Sequence, residues 1–157
     1  MTNIVPAGDK EIKKTEQDVT ILEFLGILLE DELIGFPLTE VLSISKVTEI
    51  VPVPFSPSYI VGVINLRGDI IPIISLKSRL GLPESKEYTM VVILDTSFGK
   101  VGILVDKVVG VIKIPMDKLE PNPMTGRYSR YIKNVAKTDH GLLIIIDIER
   151  ITKESSL

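Results

Sequence analysis

The chain carries one histidine, His140, set between Asp139 and Gly141. An imidazole beside a carboxylate can act as a general base, but only with a nucleophile and a group that orients it. Asp139-His140-Gly141 instead has the composition of a turn, and His140 reads as an exposed turn residue. A metal site would need further ligands, and neither H-x-x-x-H nor H-E-x-x-H occurs. The 157 residues include no cysteine. That excludes a thiolate nucleophile, a disulfide framework and Cys-ligated zinc.

Carboxylates are the next candidates. Asp95, Asp106 and Asp147 stand inside or just after apolar stretches. Leu94-Asp95-Thr96-Ser97 is similar to the aspartic-protease loop, where Asp-Thr-Gly or Asp-Ser-Gly follows an apolar strand. Ser97 occupies the place of the glycine that lets that loop turn tightly. Asp95 therefore reads as a turn former ahead of Phe98-Gly99. Gly99-Lys100 suggests a phosphate loop, but Leu94 and Val101 stand where a glycine and a hydroxyl residue are required. A hairpin turn accounts for the pair.

Basic residues are interleaved with aromatics once, in Arg127-Tyr128-Ser129-Arg130-Tyr131 followed by Lys133. Nucleic-acid binding by a small barrel uses such a pattern, yet the net charge is −3. That balance argues against a phosphate-tracking surface, and a solvated loop is the simpler reading. Asp106 and Lys107 interrupt the run Val101 to Ile114 and read as a break between two strands. Arg67 is a different case. It stands at a hairpin tip between Leu66 and Gly68, and its rigid fork suits a carboxylate of a partner or of the chain itself.

The elements that must hold these residues are strands. Of the 157 residues, 23 are Ile, 16 are Val and only 2 are Ala, a composition that suits pleated surfaces and disfavours a helix bundle. Residues 1–18 are polar and read as a tail without a secretory signal, as do 153–157; between them 19–152 forms one domain. Val19 to Leu29 and Leu33 to Leu38 flank a charged tip at Glu30-Asp31-Glu32. Lys46 to Val51 is a short strand ending at Pro52-Val53-Pro54. Tyr59 to Leu66 and Ile70 to Ser75 make a second hairpin around Gly68. Ser75 to Leu80 is a helix, with Ser75 as its N-cap and Gly81 closing it. Tyr88 to Asp95, Val101 to Val105, Val108 to Ile114 and Leu142 to Ile148 are further strands, and Pro115 to Tyr131 is a long connection. No βαβ alternation appears, so an antiparallel barrel or pair of barrels is expected. No apolar run approaches membrane-span length, and a soluble, cytoplasmic protein is expected.

The stretch from Pro52 to Leu76, above all Gly62-Val63-Ile64-Asn65-Leu66-Arg67-Gly68 followed by Ile71-Pro72-Ile73, closely resembles the signature of the CheW family of bacterial chemotaxis coupling proteins. Val101 to Val108, Tyr131 to Val135 and Leu142 to Ile148 resemble its later segments, so the likeness spans about residues 19 to 152. The resemblance implies an all-β fold of two SH3-like five-stranded barrels packed together, with one or two short helices. It implies no catalysis and no cofactor. It implies an adaptor, recruited to receptor arrays at the inner face of the membrane, that links the cytoplasmic tips of chemoreceptors to the regulatory domain of the histidine kinase CheA. Neither nucleic acid nor membrane insertion is implied.

By the same resemblance a receptor groove between the barrels involves Leu25, Leu38, Val41, Ile44 and Val108, and Gly62, Asn65, Arg67 and Gly68 serve coupling or partner contact. Many members carry Arg-Glu where this chain has Leu42-Ser43, and Asp where it has Ser75. Pairing of Arg67 with a carboxylate at position 43 is thus absent here. Other readings compete with the free-standing adaptor: a dimeric aspartic hydrolase using Asp95, an oligonucleotide-binding barrel using Arg127 to Lys133, and the regulatory end of the kinase itself or a coupling protein shorn of a receiver domain.

Overall fold

A computed structural model describes residues 13–14, 19–83, 88 and 90–153. Two mixed sheets account for most of it. The first contains β1 (Lys13–Lys14), β2 (Thr20–Leu29), β3 (Glu32–Pro37), β9 (Lys107–Pro115), β10 (Glu120–Pro121), β11 (Ile132–Thr138) and β12 (Gly141–Ile146). The second contains β4 (Val41–Lys46), β5 (Ile60–Leu66), β6 (Asp69–Ile74), β7 (Met90–Thr96) and β8 (Gly99–Val105). Setting aside the two-residue strands β1 and β10, each sheet has five strands. The second sheet is inserted into the first: the chain leaves at Pro37, builds β4 to β8, and returns at Lys107.

The period-2 alternation of the strands explains the wealth of Ile and Val. Leu143 and Ile145 of β12 join Phe24, Leu33, Ile112, Ile114 and Ala136 in a core inside the first sheet. Val91 and Ile93 of β7 join Ile64, Ile71, Ile73 and Leu104 inside the second. The alternate residues Ile144, Ile146, Val92 and Leu94 face a third and larger cluster, with Leu25, Ile27, Phe36, Ile103 and Val105, shared by both sheets. Each sheet is therefore apolar on both faces, a pattern that writes near-continuous hydrophobic strands. In the first sheet β9 lies four strands from β11, yet Ile112 and Ala136 share one cluster, so the sheet curls round its own core.

Turn and cap chemistry follows the sequence closely in places. Arg67 (φ 54°) and Gly68 (φ 89°) form the two-residue turn between β5 and β6, the type with both central residues left-handed. The Asn65 side chain accepts from the Gly68 N–H at 3.0 Å. Helix α1 (Leu76–Leu80) starts where Ser75 Oγ accepts from Ser78 N at 3.1 Å, and stops at Gly81 in the left-handed conformation.

Several expectations are corrected. The strand placed at Lys46 to Val51 is Val41–Lys46; beyond it Val47 and Ile50 pack on the second sheet's core, and Val51 makes one bridge to Val63. The final strand ends at Ile146, and Ile148–Lys153 is a helix, α2, whose start is capped by the Asp147 carboxylate accepting from Arg150 N at 3.1 Å. This helix carries the domain one residue into the stretch read as a C-terminal tail; 154–157 lie outside the described residues. At the other end Lys13–Lys14 pair with Thr20 and Ile21, while 1–12 and 15–18 lie outside the described residues. The Pro115 to Tyr131 connection contains β10 and two single 3₁₀ turns, and Ile132–Thr138 is a strand that pattern alone did not mark. The sheets are not purely antiparallel: β3 pairs in parallel with β12, and β6 with β8. Parallel neighbours need long connections. The inserted second sheet supplies one for β3 and β12, and α1 with β7 supplies the other.

Candidate functional site

The residues that the resemblance assigns to a groove come from both sheets, and all of them but Ile44 lie in or against the shared core. Leu25, on β2, belongs to that core and is only 4% exposed. Leu38, Val41 and Val108 are half-buried and pack against the same cluster. Val41 and Ile44 are three apart, a spacing that puts residues on opposite faces of a regular strand. A register shift between Val41 and Ser43 changes this: Val41 stands opposite Leu94 and Ile44 opposite Val92, and both partners face the shared core. The bulge thus brings Val41 and Ile44 to one face, with Ile44 38% exposed.

β4 is an edge strand of the second sheet, and β9 pairs only with β2 among the described strands. Val108 lies opposite Ile27 and Val111 opposite Leu25, so both belong to the face that covers the shared core. Val111 is 52% exposed. Leu25 thus lies in the shared core with Val41 and Val108 packed against the same cluster, and Ile44 is exposed on the Val41 face of the edge strand β4.

The residues that the resemblance assigns to coupling occupy another region. Asn65, Arg67 and Gly68 are exposed at the β5–β6 turn. Gly62 is buried within β5, and a methyl group there would sit 2.4 Å from the Val51 carbonyl oxygen. Its role in this structure is to admit the 50–51 segment against β5. Two large apolar side chains share the end of the second sheet with Arg67, because β6 and β8 run parallel from that end. They are Ile70, 63% exposed, and Phe98, 64% exposed. Lys100 and Asp69 pair across the same end at 2.8 Å. Neither Ile70 nor Phe98 was singled out by sequence.

The catalytic candidates do not assemble. Asp95 is exposed on β7, opposite Lys100, and neighbouring Ser97 is engaged by Glu149 through its N–H and hydroxyl. His140 is exposed in the β11–β12 turn, its N–H donating to Thr138 Oγ1 at 3.0 Å. Tyr131, the second aromatic of the basic stretch, is buried and accepts at its phenol oxygen from Arg79 and Arg130, so it cannot stack on a base. A cleft of about 350 Å³ between β2 and β11 is lined by Ile21, Phe24, Glu40, Leu119, Lys133 and Asn134. Burial raises the Glu40 carboxyl above the ordinary range, and repulsion from Glu149, Asp147 and Asp95 adds to this while Lys133 opposes it. Among the described residues no group of three or more His, Cys, Asp or Glu is placed to hold a metal.

Two sheets that share one core thus leave large apolar side chains exposed at an edge strand and at a sheet end, the kind of surface that marks interaction sites. Residues 23–156 match the family described as CheW-like domain, and the chain belongs to that family. It is 32% identical over 133 residues to the chemotaxis protein CheW of Thermotoga maritima, covering 84% of this chain and 88% of that one. It is 34% identical to the chemotaxis protein CheW of Treponema pallidum, covering 82% and 81%. Among solved structures it is similar to the scaffolding protein CheW of Thermoanaerobacter tengcongensis, with TM-score 0.75, 34% identity, and coverage of 83% of this chain and 91% of that one.

Proposed function

We propose that this protein is a non-enzymatic scaffold of bacterial chemotaxis that holds the histidine kinase CheA to the cytoplasmic tips of chemoreceptors. The observation that carries the reading is the presence of two separate apolar surfaces on one body. One is formed by Val41 and Val108, packed on the shared core, with Ile44 exposed on the same face of β4 as Val41. The other is the end of the second sheet, with Arg67, Ile70 and Phe98. Exposed apolar surface of this kind marks interaction sites, and an apolar groove is suited to a helical segment, here the receptor tip. The sheet end is suited to the regulatory domain of the kinase, with Arg67 as its polar anchor. Two binding surfaces on one rigid body convert the second contact into an intramolecular one, and receptor conformation then biases the kinase. No helix among the described residues is long and apolar enough to cross a membrane, and the scaffold reading places the protein in the cytoplasm at receptor arrays.

Calorimetric titration against the isolated regulatory domain of CheA tests the kinase half. Saturable one-to-one binding is expected, weakened at least tenfold by Arg67→Glu with the fold intact. Binding of a receptor-tip fragment tests the other half, and Val41→Asp is expected to abolish it while leaving kinase binding unchanged. Retained binding in both variants overturns the site assignment.

A further inference from the structure

Lysine is almost never fully buried unless it is paired, yet the Lys77 side chain on α1 has no exposed surface. Its ammonium lies 2.8 Å from Glu30 Oε2 and 3.3 Å from Asp106 Oδ2, and 4.8 Å from the centre of the Tyr88 ring. The three charged groups, Lys77 and its two carboxylates, belong to different parts of the fold. Lys77 follows the second sheet's strand β6. Glu30 is the tip of the first sheet's β2–β3 hairpin and is held in the left-handed region, φ 56°. Asp106 is the one residue between β8 and β9, where the chain crosses from the second sheet back to the first. The crossing is tied again on the hairpin side: Glu30 N donates to the Asp106 carboxylate at 2.7 Å, and Asp106 N donates to the Leu28 carbonyl at 3.1 Å.

We propose that Lys77 is a positioning residue that fixes the angle between the two sheets and thereby the proposed receptor surface. Apolar packing across the shared core is non-directional, and cores of suitable volume tolerate more than one arrangement. A buried ammonium with two carboxylates is directional, because only one placement of hairpin, crossing and helix satisfies all three charges. Val108 follows Asp106 by two residues and lies beside the shared core, so the part of that surface on β9 is set by the crossing that Lys77 holds. The part that concerns receptor binding rests on the function proposed above; the sheet angle does not.

The chain lacks cysteine, so spin labels can be placed at will. Labels at Asp95→Cys on β7 and Lys113→Cys on β9, both exposed, report the distance between the sheets by pulsed electron spin resonance. The unmodified background is expected to give one narrow distribution. Lys77→Met, held well below its melting temperature, is expected to broaden or displace it, and Glu30→Gln to do so more weakly. A receptor-tip fragment is then expected to bind the Lys77→Met protein at least tenfold more weakly, with affinity for the kinase regulatory domain unchanged. A Lys77→Met distribution that overlays the background overturns the proposal, and Glu30→Gln decides in its place if Lys77→Met does not fold. Failure of the unmodified chain to bind the receptor fragment overturns the functional reading instead, because the distance measurement does not depend on it.

Discussion

Glu40 closes the 3₁₀ turn that hands the chain from the first sheet to the second, and its carboxyl is pushed up first by burial and then by repulsion from Glu149. A carboxyl whose folded pKa lies above its unfolded one holds its proton more tightly when folded. Its stabilising effect is complete below the unfolded value and is lost as pH rises through the folded one. Ionised Glu40 therefore costs stability at neutral pH. Glu40→Gln is expected to raise the unfolding free energy at pH 7 by about 0.5 kcal/mol, kept small by solvent screening. The gain should vanish near pH 4, where the unmodified residue is itself protonated; urea titrations at the two pH values measure the difference. Little of this residue-scale detail is legible in sequence. Arg67 and Gly68 could be placed at a hairpin tip because turn chemistry is local. Ile44 could not be placed on the face of Val41, because the bulge that puts it there belongs to the pairing with β7. Nor does a lysine in a short helix announce that its charge points inward.

Gly62 shows how an element depends on one residue. It lies at the register shift between Ile60 and Gly62, next to Val63, which exchanges two hydrogen bonds of 2.9 Å with Val51. An added Cβ would meet the Val51 carbonyl oxygen at 2.4 Å and Ile50 at 2.8 Å. The first obstacle is backbone, which cannot rotate away. Gly62→Ala is expected to destabilise the protein by about 1–3 kcal/mol, the usual range for overpacking, read as a lowered urea midpoint. Loss of partner binding in this variant would then follow from displacement of the 50–51 segment and not from a missing contact. Elements were legible where their ends carry local chemistry. Helix α1 matched because Ser75 and Gly81 mark both ends. Helix α2 was missed because Ile146, Ile148 and Ile151 continue an apolar strand in composition. Its own signals are only the Asp147 cap and the i, i+3 spacing of Ile148 and Ile151, both buried. β4 was displaced by five residues because Val47 to Val51 are as apolar in pattern as Val41 to Lys46, and only packing distinguishes them.

At the scale of the molecule, strand content and the two-layered apolar pattern are written in the 39 Ile and Val residues, since strands that are apolar on both faces must be covered on both. The pairing of β3 with β12 is not, because residues more than a hundred positions apart choose one another through the finished core. That core also decides how the protein unfolds. The two inner clusters are each confined to one sheet, but the largest draws on β2, β3, β6, β7, β8, β12 and both helices. Neither sheet can open without exposing it, and the second sheet cannot leave without breaking the first, whose strands flank it on both sides in sequence. One cooperative transition is expected. The chain has no tryptophan, so single reporters can be introduced at exposed sites, Phe98→Trp on the second sheet and Leu142→Trp on the first. Their urea transitions should coincide in midpoint and slope. A midpoint for Phe98→Trp clearly below that for Leu142→Trp, in variants of equal overall stability, would mean that the inserted sheet melts as a unit of its own and that the shared core is too weak to couple the two proposed surfaces.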